Sequence, residues 1–288
     1  MHALSTGSRF ADRYVIDETL GVGAAGAVLA AHDPHHAAPE RARVAIKVLR
    51  PELAADLALR ARFRREATIL QGIEHPAIVR VWAHGAAALV PGGPSVPYLV
   101  MERLAGVTLR SALQRGAQTP TAALSWLRPV AAALDRVHAD GVLHGDLKPD
   151  NLFLTPTGPR LVDFGSAKVH GFPRLTATGE VAGTPRYMAP EVIAGERALD
   201  HRSDVYALAV TAYECLAGHP PFRARHPGRL LAEIMGSAAP PLERWPTLAP
   251  VLARGMRREP EHRFDTAGSL VQALSAAIAE AESSSVSS

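Results

Sequence analysis

The sequence has little of what several classes of protein require. Cys215 is the one cysteine in 288 residues, so an internal disulfide is impossible and a cytoplasmic location is expected. No apolar run reaches the length of a membrane span, because the best candidate, residues 85–100, is interrupted by glycine and proline. The formal net charge is only +3, too small an excess to predict a nucleic-acid partner. An ordinary globular protein is therefore expected.

The apolar pattern changes from strands to helices about a third of the way along the chain. Short β-branched segments at 13–20 and 43–50 predict strands, whereas helical spacing dominates after Glu102. One later helical segment, 121–141, contains Pro129, which predicts a kink or a local break. The sequence thus predicts an α+β fold of two lobes, with a ligand cleft where the lobes meet.

The predicted boundaries follow from this change of pattern. Residues 14–102 are expected to form a small β-rich lobe with one key helix, and residues 103–280 a larger, mainly helical lobe. The two lobes make up one domain, residues 14–280. Residues 1–13 are predicted to be an N-terminal extension, and residues 281–288 a disordered, serine-rich tail.

The predicted helix of the small lobe, residues 57–73, carries a run of arginines. A solvated helix face is the usual explanation of such a run, and docking of a partner is the alternative. The arginines are Arg60, Arg62, Arg64 and Arg65.

A glycine-rich segment lies between two predicted strands of the small lobe. Gly21, Gly23 and Gly26 follow the pattern G-x-G-x-x-G and are followed by Val28. Glycines at this spacing let the backbone approach phosphate groups without side-chain collision. A dinucleotide site would need a helix after the glycines. Because a strand-like segment follows, the pattern favours a strand–loop–strand flap over phosphates.

Lys47 lies on the strand that contains the sequence VAIK. A lysine on a strand is usually just exposed, but after a glycine-rich loop it can neutralise the α- and β-phosphates of a nucleotide. Glu66, in the arginine-rich helix, is the candidate partner that would hold this cation. A surface acid is the alternative interpretation of Glu66.

The stretch LHGDLKPDN, residues 143–151, places an acid, a base and an amide close together. Asp146 can orient a hydroxyl group for attack, and Lys148 can neutralise a moving phosphoryl group. Asn151 and the later Asp163 offer the oxygen ligands that Mg²⁺ prefers. Positioning, a metal and a cation are what phosphoryl transfer requires of a protein.

These motifs, in this order, resemble the eukaryotic-like serine/threonine protein kinases of bacteria. The resemblance covers roughly Tyr14 to Ala279 and includes DFG at 163–165 and MAPE at 188–191. It implies the bilobal protein-kinase fold, with ATP and Mg²⁺ or Mn²⁺ as cofactors. It also implies phosphoryl transfer to Ser and Thr of protein substrates, autophosphorylation, and a monomer or transient kinase-domain dimer.

The resemblance also implies roles for individual residues. Asp146, Lys148, Lys47 and Glu66 are expected to be catalytic, and Asn151 and Asp163 to bind the metal. Thr176, Thr178 and Thr184 are expected to lie in the activation loop. The implied nucleotide-binding set is Leu20, Gly21, Val22, Gly23, Ala24, Gly26, Val28, Ala45, Lys47, Met101, Glu102, Leu104, Phe153, Asn151 and Asp163.

Further residues match structural positions of the family. His144 and Phe164 are implied to stack with Leu70 and Val81, which makes His144 structural rather than a proton shuttle. Asp204 is implied to anchor the catalytic-loop backbone from a buried helix. The resemblance further implies a buried ion pair that braces the larger lobe, Glu191 with Arg263.

One position departs from the family pattern. Gly145 stands where the family usually has an arginine that pairs with a phosphorylated activation-loop threonine. Glycine cannot pair with a phosphate, so we expect less dependence on phosphorylation of Thr176 and Thr178. Lys168 is an alternative cation for such a phosphate.

Two other functions remain as alternatives. The sequence HGDL also occurs in small-molecule phosphotransferases that modify aminoglycosides or choline and share the fold. Those enzymes lack the pattern of Lys148 and of the stretch 166–191, which is typical of a protein-substrate platform. An inactive scaffold would lack one of the phosphoryl-transfer residues, and none of them is missing.

Overall fold

The structure is a computed structural model that describes residues 5–23, 26–38, 42–164, 185–195 and 200–286. The chain divides into two compact units, Met1–Ala105 and Gly106–Ser288. Each unit has its own sheet.

Unit 1, Met1–Ala105, is built on a six-stranded antiparallel sheet. The strand order is β1-β2-β3-β4-β6-β5, so β6 lies between β4 and β5. Two helices follow β4, and α2 packs on β5. The elements are β1 (Arg9–Phe10), β2 (Tyr14–Val22), β3 (Gly26–His32), β4 (Arg43–Leu49), α1 (Pro51–Ala54), α2 (Leu57–Gly72), β5 (Val81–Ala88) and β6 (Ser95–Glu102).

The beginning of the chain contributes to this sheet. Strand β1 pairs with β2 through Phe10 and Tyr14, and the buried Phe10 ring meets the Tyr98 ring edge to face, with centroids 5.1 Å apart. Phe10 therefore packs into the core of this unit, whereas Arg9 is exposed. An aromatic ring buries enough apolar area to hold even a two-residue strand in place.

Helix α2 begins at a polar cap and buries one face. The Asp56 side chain accepts hydrogen bonds from the backbone N–H groups of Ala58 (2.8 Å) and Leu59 (3.2 Å), which satisfies two otherwise unpaired donors. Ala67 and Leu70 are buried, whereas Arg64 and Arg65 are exposed. These two arginines of the run thus lie on the helix side that faces solvent.

Unit 2, Gly106–Ser288, is mainly helical with a small three-stranded sheet of order β7-β8-β9. Turns of 3₁₀ helix at Pro149–Asn151, Pro185–Tyr187 and Pro260–His262 connect larger elements. The elements are β7 (Val107–Thr108), α3 (Leu109–Leu113), α4 (Pro120–Ala139), β8 (Leu152–Thr155), β9 (Gly158–Leu161), α5 (Pro190–Ala194), α6 (Arg202–Ala217), α7 (Pro227–Gly236), α8 (Ala249–Gly255) and α9 (Ala267–Val286).

Helix α6 is the centre of unit 2. All of its residues from Ser203 to Leu216 are buried, as expected of a helix that is apolar on every side. Helices α4, α8 and α9 pack on it. Helix α4 continues through Pro129, so proline does not end it.

The last helix continues where the sequence predicted disorder. Helix α9 reaches Val286, which lies inside the predicted tail at 281–288, and the disorder of that tail stays a prediction. Alanine and glutamate favour helix, and extending an existing helix requires no new nucleus. Ser283 Oγ donates a hydrogen bond to Ala279 O at 2.9 Å, within the helix itself. Across the described residues, none of the helices is both long and apolar enough to cross a membrane.

Candidate active site

The glycine-rich segment forms a tight hairpin between β2 and β3. The backbone N–H of Gly23 donates to Gly26 O at 2.8 Å, which closes the hairpin. A Cβ atom on Gly26 would lie 1.8 Å from Val48 O, so only glycine fits against strand β4 there. The Arg50 guanidinium donates to Gly23 O through Nε (3.1 Å) and Nη2 (2.9 Å). Arg50, which directly follows β4, therefore holds the hairpin in place. Ala24 lies outside the described residues.

The strand register brings most of the small-unit candidates to one face of the sheet. Val28 is paired with Lys47, and Ala45 with Met101. Cross-strand partners point to the same side, and Ala45 and Lys47 are two residues apart on one strand. These four residues therefore share a face. Beside them on β2, Leu20 and Val22 are exposed large apolar residues, the kind of surface that binds ligands.

Glu66 lies in the middle of α2, partly buried, next to the buried Ala67. Its predicted partner, Lys47, is partly buried on β4. The pairing of Lys47 with Glu66 stays a prediction.

Glu102, at the end of β6, is held by two hydrogen bonds to one residue. Its backbone N–H donates to Arg80 O at 2.9 Å, and its carboxylate accepts from the Arg80 N–H at 2.8 Å. The next residue, Arg103, donates to Glu18 Oε1 at 2.8 Å. Leu104 follows, partly exposed.

In unit 2 three of the predicted residues meet around one carboxylate. Lys148 Nζ donates to Asp146 Oδ2 at 2.6 Å. Asn151 Nδ2 donates to both the backbone O (2.8 Å) and Oδ2 (2.9 Å) of Asp146. The 3₁₀ turn Pro149–Asn151 folds the chain back so that these side chains converge. We call Asp146, Lys148 and Asn151 the catalytic cluster, after the catalytic role that the sequence predicts for Asp146 and Lys148.

A buried carboxylate holds the backbone just before this cluster. Asp204, on α6 and 1% exposed, accepts the backbone N–H groups of His144 and Gly145, each at 2.8 Å. His138 Nε2 lies 2.8 Å from the same carboxylate. Burial alone would raise the pKa of Asp204, but hydrogen bonds from His138 and the Gly145 amide lower it below its usual value. The predicted anchoring role of Asp204 is confirmed.

The backbone conformation at position 145 also explains why a glycine is found there. Its φ angle is +74°, in the left-handed region, where a side chain costs about 1–2 kcal/mol. The bend turns both His144 and Gly145 amides toward Asp204. From the sequence alone, Gly145 was interpreted only as the loss of the arginine that usually pairs with a phosphorylated threonine.

Asp163 also has an unusual backbone. Its φ angle is +63°, which is uncommon for a residue other than glycine. The preceding residue, Val162, donates its N–H to Asn151 O at 3.0 Å, which brings the two predicted metal ligands into neighbouring segments. Strain of this kind is often found at functional sites.

His144 is a packing residue. It is fully buried, and its ring lies 4.6 Å from the Phe164 ring, centroid to centroid, which confirms this one contact of the predicted stack. Burial lowers the pKa of His144, despite the opposing charges of Asp204, Asp146 and Asp163. The imidazole is therefore neutral at pH 7.

Phe153 lies on β8, two residues after Asn151, and is partly buried. It is paired with Thr108 on β7 and with Arg160 on β9.

No cluster of three or more His, Cys, Asp or Glu residues in the described ranges could hold a metal. Asn151 and Asp163 would thus need oxygen atoms from a bound ligand to complete a metal site.

A second buried network was not predicted from the sequence. Arg110, on α3, donates to Glu214 Oε1 on α6 at 2.6 Å and to the Tyr187 hydroxyl. The Tyr187 hydroxyl donates to Glu214 Oε2 at 2.6 Å. Arg110 Nε also reaches Asp150 Oδ2 at 3.3 Å, inside the 3₁₀ turn of the catalytic cluster. Burial, followed by the charge of Glu214, raises the pKa of Tyr187, so its hydroxyl stays protonated.

One sequence signal could have revealed this network. Glu214 is an acid in the otherwise apolar stretch of α6, and buried acids are almost always paired. The signal predicts that a cation is needed but does not identify Arg110.

The predicted ion pair of the large unit is confirmed. Arg263 donates to both carboxylate oxygens of Glu191, at 2.7 and 2.6 Å. It also donates to the backbone oxygens of Arg202, Arg257 and Arg258. Both partners are buried, so the bidentate pair and the carbonyl bonds satisfy the guanidinium. The predicted activation-loop residues Thr176, Thr178 and Thr184, together with Lys168, lie outside the described residues.

Comparisons with known proteins agree with this geometry. A family described as the protein kinase domain matches residues 14–255. Serine/threonine-protein kinase PknB of Mycobacterium tuberculosis (strain ATCC 25618 / H37Rv) is 36% identical over 276 residues, which cover 93% of this chain and 43% of the relative. Serine/threonine-protein kinase PknD of the same strain is 37% identical over 284 residues, covering 96% of this chain and 41% of the relative. The chain thus spans less than half the length of these relatives.

Solved structures are similar over nearly the whole chain. The crystal structure of the M. tuberculosis PknI kinase domain is 29% identical, with a TM-score of 0.76, and covers 96% of this chain and 99% of that one. A single-mutant form of the same domain gives a TM-score of 0.74 at 28% identity, with the same coverage. The chain therefore has the α+β protein-kinase fold and belongs to the protein kinase domain family.

Proposed function

We propose that this chain is a serine/threonine protein kinase domain that transfers the γ-phosphoryl group of ATP to Ser and Thr hydroxyls of proteins. The observation that carries the proposal is the catalytic cluster, in which Lys148 and Asn151 both donate to Asp146. The relatives named serine/threonine-protein kinases support the same activity and acceptor. We place the domain at residues 14–280, with lobes at 14–102 and 103–280.

The described residues fit a nucleotide. Val28, Ala45 and Met101 offer an apolar face for adenine, and Lys47 on the same face offers a cation for phosphates. Gly26 lets the hairpin backbone lie where any side chain would collide. Glu102 and Leu104 would bind the adenine edge through backbone groups, and Phe153 stays a proposed nucleotide-binding residue. ATP, when bound, supplies the phosphoryl group.

The donor set also fits a divalent cation. Both hydrogen bonds from the Asn151 side chain use Nδ2, so Oδ1 is the atom that would bind a metal. With the Asp163 carboxylate it makes two protein ligands. Mg²⁺ is commonly held by one or two protein groups together with phosphate oxygens and water. We therefore propose Mg²⁺, with Mn²⁺ as its substitute.

Asp146 is proposed to orient the acceptor hydroxyl and receive its proton. The hydrogen bonds to its side chain from Lys148 and Asn151 both use Oδ2. Oδ1 is therefore the atom we assign to the acceptor hydroxyl. Lys148 would neutralise charge that develops on the transferred group. Glu66 would hold Lys47 in place.

Protein substrates are the proposed partners, and autophosphorylation is proposed as part of the activity. The monomer or transient dimer expected from the resemblance stays a prediction, as does the cytoplasmic location inferred from the single cysteine.

The proposal is tested by measuring the transfer of radiolabel from the γ-phosphoryl group of ATP to a mixture of acceptor proteins, with Mg²⁺ present. Kanamycin and choline are offered as small-molecule acceptors in the same assay. Wild type is expected to label proteins on Ser and Thr and to leave the small molecules unlabelled. Asp146→Asn should lower the rate by roughly 10²–10⁴-fold, the usual contribution of a positioned base.

The matched control is Asp140→Asn, which removes an acid paired with the exposed Arg136. It should keep the wild-type rate within a factor of two. Labelling of kanamycin or choline in place of protein would overturn the acceptor class. Equal background signal from wild type and Asp146→Asn would overturn the activity.

A further inference from the structure

Helix α2 and the strands beside it enclose a cavity of about 380 Å³ that the proposed reaction does not use. It lies entirely within unit 1. Its polar lining consists of two guanidinium groups and one imidazole, and acidic residues are absent from the lining that the structure describes. Apolar groups lie beside them. We call it the arginine cavity; its main lining residues are Arg60, Arg64, His84, Phe63, Ala61 and Pro97.

The positive charge here is concentrated. Helix α2 carries four arginines and one glutamate, an excess equal to the formal net charge of +3 of the whole chain. Within the ranges that the structure describes, Arg60 and Arg64 form no ion pair with an acid. Since they are four residues apart on one helix, they are neighbours on its surface. Two guanidinium groups without acidic partners among the described residues thus face one cavity.

His84 is fixed at the edge of this pair. The Thr68 hydroxyl donates its one proton to Arg64 O at 2.9 Å. The contact of 3.2 Å between Thr68 Oγ1 and His84 Nε2 therefore requires Nε2 to be the donor. This bond orients the imidazole toward the helix that carries the arginines.

We propose that the arginine cavity is a docking site for a protein segment that carries a phosphorylated serine or threonine. A phosphoryl group bears close to two negative charges and three acceptor oxygens. Two guanidinium forks can bind such a group with several charge-assisted hydrogen bonds. A single carboxylate would neutralise only one of the two arginines.

The apolar part of the cavity favours a segment of protein over a free anion. Phe63 and Pro97 line the cavity beside the cations. A free phosphate ion gains nothing from such a surface, whereas an apolar side chain next to a phosphorylated residue would be removed from water there. The proposal goes beyond phosphoryl transfer and does not depend on it, because binding can be measured without ATP.

The test uses a fluorescein-labelled peptide pool with phosphothreonine fixed between leucines and degenerate outer positions. Matched pools carry threonine or glutamate at the fixed position. Fluorescence anisotropy with the full chain is expected to show at least tenfold tighter binding of the phosphorylated pool than of either control pool. The double variant Arg60→Glu/Arg64→Glu should weaken phosphopeptide binding at least tenfold.

The chain offers a matched control in Arg65→Glu, which reverses a charge on the same helix outside the cavity lining. It should bind within threefold of wild type. The proposal is overturned if Arg65→Glu weakens binding as much as the double variant, since this would reduce the effect to general electrostatics. Equal binding of the glutamate pool, or no binding by wild type, would also overturn it. Circular dichroism would verify that each variant is folded.

Discussion

Gly145 and Asp163 flank the catalytic cluster, and both have backbone conformations in the left-handed region. Glycine adopts this region without strain, whereas Asp163 is strained, and strained residues persist only where the surroundings fix them. The fixing groups are visible in each case. Asp204 accepts the Gly145 amide, and the Val162 amide next to Asp163 is bonded to Asn151. The backbone conformation at Gly145 and at Asp163 is therefore fixed by hydrogen bonds of neighbouring groups.

His144 provides a prediction about pH at the same scale. Burial holds its folded-state pKa below the unfolded value of about 6.5. The unfolded chain thus binds a proton that the folded chain does not, and stability falls as the pH drops through this range. His144→Phe keeps an aromatic ring against Phe164 but cannot titrate. Between pH 7.5 and 5.5, wild type should lose up to about 1.4 kcal/mol of unfolding free energy relative to this variant.

Urea unfolding at four pH values measures the effect. His262→Phe, at an exposed position, should leave the pH profile unchanged. Parallel profiles for wild type and His144→Phe would show that His144 is not the source.

At the scale of elements, Arg110 connects three segments of unit 2. It is bonded to Glu214 on α6, to Tyr187 in the turn before α5, and to Asp150 in the turn of the catalytic cluster. The stretch that contains Tyr187 was predicted to be a protein-substrate platform. The network thus joins this stretch to the catalytic cluster through one side chain.

Replacing Arg110 by Met should therefore affect acceptor binding more than nucleotide binding. We expect the KM for a protein acceptor to rise roughly tenfold, equivalent to about 1.4 kcal/mol, with the KM for ATP within twofold of wild type. In a double-mutant cycle with Tyr187→Phe, the unfolding free energies should be non-additive by about 0.5–3 kcal/mol. Arg110→Lys should restore part of both effects.

Arg115→Met, at an exposed position just after α3, is the matched control and should resemble wild type. Equal changes in both KM values would indicate general damage instead. Additive stabilities would show that Arg110 and Tyr187 act independently.

At the scale of the whole molecule, the sequence predicted the fold class and much of the site because phosphate chemistry restricts residue type and order. Glycines, Lys47, Asp146 and Asp163 are recognisable even when far apart in the chain. The Arg110–Glu214 bond spans 104 positions and follows no periodic pattern, so it could not be predicted. The strand at Phe10 was missed because a two-residue strand has no period.

The lone cysteine reports on the stability of unit 2. Cys215 is fully buried in α6, and burial raises the pKa of its thiol. Alkylation therefore requires opening of the central helix. Iodoacetamide should label the native chain at least about 10³-fold more slowly than the urea-unfolded chain, as mass spectrometry would show. Cys215→Ser should remain unlabelled in both states. Complete labelling within minutes in native buffer would contradict the packing described for α6.

The concentration of positive charge on α2 affects the solubility of the whole protein. Outside this helix, acids and bases are equal in number, so a molecule whose α2 arginines are neutralised by bound anions would carry almost no net charge at neutral pH. Molecules near their isoelectric point repel each other weakly and tend to associate. Occupancy of one surface would thus change the electrophoretic mobility and solubility of the entire protein.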